Sequence, residues 1–159
     1  KIKKGKSSLI ESMVGLNNIN VKLFYSKVEE GKLLHVVNRF NEISNRTDIV
    51  PDDNFIQCAT LRMKKGKTFR AHKHIKKYRT YEEKIAQESW VIIQGKVKCY
   101  FYDLDDKLLT TVILEKGDAS FTLEGGHTYE ILEDETIVYE YKTGPYEGQE
   151  FDKRFLDEQ

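Results

Sequence analysis

Two histidines separated by one residue close the stretch Gly66-Lys67-Thr68-Phe69-Arg70-Ala71-His72-Lys73-His74. Neutral imidazole is a ligand for zinc, iron, copper and nickel, so two rings facing one ion supply half of a four-ligand site. The stretch follows an apolar run and reads as a β-strand. Side chains alternate faces along a strand, which puts His72 and His74 on the same side. Arg70 falls on that side too. Turned inward, it would bind a carboxylate or phosphate in bidentate fashion; turned outward, it is a rim arginine in water.

The elements that must position these residues read as β. Val21 to Tyr25 and Leu33 to Val37 are short strands around the turn Glu29-Glu30-Gly31-Lys32. Arg39 to Arg46 suits a helical turn, and Thr47 to Asn54 a polar loop containing Pro51. From Phe55 onward the runs FIQCATLRM, KTFRAHKH, ESWVIIQGKVKCYFYD, LLTTVILEKGDASFTL, HTYEIL and ETIVYEYK are rich in β-branched and aromatic residues. Turn signals such as Gln94-Gly95-Lys96 and Gly125-Gly126 separate them. Short strands at near-regular spacing predict an antiparallel sandwich or barrel. The end, KTGPYEGQEFDKRFLDEQ, loses the alternation and reads as an extended tail with a helical turn.

Composition narrows the function classes. With 159 residues, one domain with a real core is expected. Lys plus Arg and Asp plus Glu number 26 each, and that balance argues against a dedicated nucleic-acid binder. No apolar run reaches the ~20 residues of a membrane helix and no leader-like segment is visible, so a cytoplasmic location is the expectation. Cys58 and Cys99 form no CxxC and read as buried thiols in a reducing compartment. Gly5-Lys6-Ser7 lacks the upstream glycine and the strand of a phosphate-binding loop. His35, inside LLHVV, reads as a packed or surface histidine.

The spacing of the remaining residues resembles the cupin superfamily. Five residues separate Gly66 from His72-x-His74, and six separate Glu88 from Gly95. Gly117 opens a turn that leads through Leu123-Glu124-Gly125-Gly126 to His127. These parts are similar to the two cupin motifs, G(x)5HxH(x)3–4E(x)6G and G(x)5PxG(x)2H(x)3N, over roughly residues 55–142. Two departures stand out. Thirteen residues lie between His74 and Glu88, and the second motif has Leu123 for its proline, an early histidine and Ile131 for its asparagine. The tail, Lys142-Thr143-Gly144-Pro145-Tyr146-Glu147-Gly148 and Asp152-Lys153-Arg154-Phe155, resembles the end of small bacterial cupins associated with surface-polysaccharide and nucleotide-sugar pathways.

The resemblance implies an all-β, single cupin-type double-stranded β-helix, a jelly-roll barrel with N-terminal strands and a C-terminal extension. Residues 1–54 would pack on a barrel core of 55–142, and 143–159 would form the tail, as one domain overall. The implied metal ligands are His72, His74, Glu88 and His127, around one divalent transition metal (zinc, iron, manganese or nickel). Tyr129 shares the face of His127 and is either an acid or base or wall packing. The inserted segment Ile75–Gln87, with Lys76, Lys77, Tyr78, Arg79 and Tyr81, is either the rim of the site or a solvated loop. The implied activity is a metal-dependent isomerase or epimerase on a small sugar-derived or anionic substrate. A non-catalytic binding or sensor protein and an iron-dependent dioxygenase stay open. A homodimer, formed by adding N-terminal strands to a partner's sheet edge, is also expected.

Overall fold

The apolar residues of Lys96–Tyr102 alternate with polar ones, and the chain responds as a half-buried strand must. Val97, Cys99 and Phe101 are fully buried, while their neighbours reach the surface. The same logic builds most of the molecule. The structure is a computed structural model that describes residues 21–43, 46–62, 64–74, 85–144 and 148–156.

Among the described residues the strands are β1 (Val21–Tyr25), β2 (Leu33–Asn38), β3 (Thr47–Asp48), β4 (Ala59–Thr60), β5 (Glu88–Gln94), β6 (Lys96–Tyr102), β7 (Leu108–Glu115), β8 (Ala119–Thr122), β9 (Gly126–Ile131) and β10 (Ile137–Lys142). A 3-10 turn covers Phe40–Glu42, and one short helix, α1, covers Gln149–Asp152. One sheet has five strands in the order β1-β2-β8-β5-β10, and another has three in the order β7-β6-β9. β3 and β4 make a separate two-stranded ladder. Every pairing is antiparallel. The protein is therefore mostly β-sheet, as its composition predicts.

Two apolar clusters define the layers. Val37 of β2, Ile92 of β5, Val97, Cys99 and Phe101 of β6, and Val112 and Leu114 of β7 form the first, between the two sheets. Val36, Ala119, Phe121 and Leu123 meet Ile49 and Val50 in the second, on the opposite face of the five-stranded sheet. The central strands of that sheet are thus covered on both faces. This explains why β2 (LLHVVN) and β8 (ASFT) are buried almost without alternation. The expected polar loop at 47–54 has a structural part: its Ile49 and Val50 form one of those covers.

Asp118 ties the β7–β8 turn to the 3-10 turn. Its carboxylate accepts from Arg39 Nη1 at 2.6 Å, Phe40 N at 3.1 Å and Glu115 N at 3.0 Å. The side chain of Asp118 is only 8 % exposed. Asp118→Ala would leave two amides without their acceptor and Arg39 with only the Ile113 carbonyl, and should cost about 2–4 kcal/mol. Denaturant midpoints test this, and a loss below about 1 kcal/mol would show the turn to be braced elsewhere.

Two expected strands are corrected. FIQCATLRM contributes only the two residues of β4. KTFRAHKH forms no strand, and described residues 64–74 are all exposed. Only Phe69 and Ala71 in that stretch are apolar, against seven lysines, arginines and histidines, so pairing it would bury little. Within the expected N-terminal extension of residues 1–54, β2 pairs directly with β8 in the five-stranded sheet. The N-terminal residues 1–20 lie outside the described residues.

Candidate functional site

Glu88 opens β5 in one sheet and His127 is the second residue of β9 in the other. On β5, Glu88 shares its face with Trp90 and Ile92, which pack against the inter-sheet core. On β9, His127 shares its face with Tyr129, which packs there too. The two sheets therefore bring both residues to one end of the space between them. His127 Nε2 lies 3.1 Å from Glu88 Oε1. Their side chains are 24 % and 12 % exposed, enough to be reached and little enough to be shielded.

The pair sits in an open cleft of about 770 Å³. Thr122, Glu124 and Gly125 of the β8–β9 connection and Tyr102 to Leu104 after β6 contribute to its lining. Gly125 has φ +82°, and a Cβ there would stand 2.5 Å from the Tyr102 carbonyl oxygen, so only glycine lets this wall close. Lys142 of β10 and residues 152–156 of the tail line it as well.

Burial pushes the Glu88 carboxyl up. The hydrogen bond and charge of His127, with Lys153 and Lys142, outweigh that and hold it below its ordinary value. An ionised carboxylate only accepts, so His127 donates from Nε2, and in the neutral ring Nδ1 is the nitrogen that carries the lone pair. Beneath the cleft, His35 is fully buried and stacked on Phe101 at 4.5 Å. Its Nε2 lies 3.1 Å from the Tyr102 carbonyl, which can only accept, so Nδ1 accepts from the Thr122 hydroxyl at 3.1 Å. Burial drives its pKa down to about 4, and the ring is neutral.

The expected four-ligand set is only half assembled. The structure joins Glu88 and His127 and leaves His72 and His74 on the exposed 64–74 segment, rings edge to face at 5.4 Å. His72 Nδ1 lies 3.0 Å from the Arg70 carbonyl. Among the described residues, no three His, Cys, Asp or Glu side chains are grouped to hold a metal ion. The reasoning that paired His72 with His74 and Arg70 required a strand, and the segment has none. Arg70 is exposed, as a rim arginine in water would be.

Tyr129 stacks on Trp90 at 3.9 Å and its hydroxyl lies 3.2 Å from Ser120 Oγ. Burial pushes its phenol up, and it does not line the cleft. Packing accounts for it. Of the expected rim Ile75–Gln87, residues 75–84 lie outside the described residues; Ile85 and Ala86 do line the cleft. Sequence reasoning missed Lys142 as a wall residue. Alternation along β10 was its signal, since Lys142 shares a face with Val138, which packs on the core.

No family model matches the chain, and no curated protein or solved structure matches it significantly.

Proposed function

We propose that the two sheets form a cupin-type barrel whose Glu88–His127 pair transfers a proton on a small, oxygen-rich, sugar-like substrate, as an isomerase or epimerase. The observation that carries this is the 3.1 Å contact between Nε2 and Oε1 at the end of an open cleft. A carboxylate that fixes one imidazole nitrogen leaves the other as a positioned base. Such a base removes a proton from carbon next to a carbonyl and returns it to the same or a neighbouring atom. The cations of the wall favour the oxyanion formed on the way. The motif likeness supports the barrel, because its two motifs contribute one residue each to this pair. Glu88 and His127 are two of the four donors that the resemblance implies for a metal, and the proton transfer uses the acid–base chemistry of this pair. A homodimer built on the N-terminal strands belongs to the same reading, supported by β1 standing at the edge of its sheet.

The test is proton exchange with solvent, followed by NMR in deuterium oxide with a panel of keto-sugars. His127→Asn and Glu88→Gln should each slow exchange by about 10²–10⁴-fold, the range for a positioned acid or base. Exchange that is unchanged in both variants, or abolished by chelators in the native protein, would overturn the proton-transfer reading.

A further inference from the structure

We propose that the C-terminal segment Gly148–Leu156 is a strap over the cleft and that its Lys153 binds an anionic group of the ligand. The inference rests on reading the cleft as the ligand site, and it adds the chemistry that the ligand must carry.

Two ion pairs and an apolar contact tie the strap to the described residues around it. Lys142 Nζ pairs with Asp152 Oδ2 at 2.9 Å, and Arg154 Nη2 reaches both oxygens of Asp106 at 2.9 and 2.8 Å. Leu156 lies over Gly126, where an added Cβ would come within 2.9 Å of its Cδ1. α1 has no side-chain cap and buries no residue, and Phe151 is 76 % exposed. The Arg154–Asp106 pair is exposed and contributes little, so the far end of the segment opens at low cost, while the more shielded Lys142–Asp152 pair is its firmer tie. A ligand can therefore enter without disturbing either sheet.

The charges of the lining are almost all matched. Asp106 holds Arg154, Asp152 holds Lys142, Glu88 holds His127, and Glu124 holds Lys32 at 3.0 Å. Asp103 accepts from Ser26 Oγ, Lys27 N and Leu104 N. Lys153 is the exception: among the described residues its ammonium makes no hydrogen bond and no ion pair, and it acts on Glu88 only through space. A cation lining the same cleft as the reactive pair, with its neighbours' carboxylates already occupied, is free to take an oxyanion from the ligand.

The experiment titrates the native chain and two variants with inorganic phosphate and, separately, with glucuronate, followed by backbone amide shifts. The two arms distinguish a phosphoryl group from a carboxylate. Lys153→Ala should weaken binding of at least one anion by roughly tenfold or more, as loss of a charge-assisted hydrogen bond implies. Its melting temperature should be unchanged. Lys116→Ala, a lysine outside the cleft, should bind as the native chain does. Amides 148–156 should also exchange with solvent far faster than those of β6. The proposal is overturned if neither anion binds, if Lys153→Ala binds both as the native chain does, or if the strap amides are as protected as β6. Failure of the proton-transfer reading shows separately, in the exchange rates of the Glu88 and His127 variants.

Discussion

Acidification from pH 7.5 to 4.5 should remove about 3 kcal/mol of folding stability through His35 alone. Its ring is neutral in the folded chain, with a pKa of about 4 against an ordinary 6.5, because it is buried on Phe101. The backbone bond to Tyr102 and the charge of Asp103 push the other way, and the nearby His127 adds to the lowering. Between those two pKa values the unfolded chain binds a proton that the folded chain refuses, so stability rises with pH. The contribution is complete above about 6.5 and is lost as pH falls toward 4. Its ceiling follows from ~1.36 kcal/mol for each unit of separation. Urea titrations at several pH values check this, with His35→Gln as the comparison, since that side chain does not titrate. Equal pH slopes in the two proteins would sink the assignment.

Phe101→Ala should cost about 3–5 kcal/mol, the range for truncating a large core aromatic. Phe101 is fully buried, stacks on His35 and lies 5.8 Å from Phe24. It is also the cross-strand partner of His127 in the β6–β9 ladder. The cavity would therefore remove the support of His35 and loosen the strand that presents His127. Both a lower denaturant midpoint and a loss of proton exchange are expected, with Phe101→Leu recovering most of each. Full exchange activity in Phe101→Ala would show that β9 is positioned from elsewhere.

How much of this was legible before folding depends on what each residue needs from its neighbours. Tyr25, Gln94 and Lys142 end strands close to where the alternation ends, because period two in an apolar run is a local property. Gly95, alone between β5 and β6, was legible for the same reason. β8 was harder, because its Ser120 and Thr122 look like a solvent face. They are buried because they meet Tyr129 and His35, and only the fold shows that. The stretch 64–74 misled, since histidine spacing was read through a strand that has no partner.

The sequence by itself determined the β class, most strand positions, and the candidacy of Glu88 and His127. The first two rest on periodicity and residue chemistry, which act within a few residues; the candidacy of Glu88 and His127 rests on the motif resemblance. The tertiary structure decided which candidates meet. Whether two side chains from different strands stand 3.1 Å apart depends on sheet order and inter-sheet packing, and neither is written in local spacing. The same packing buried His35 into its neutral form and laid the tail along the cleft. Energies summed over many distant residues set those outcomes, so no single stretch of the chain could carry them.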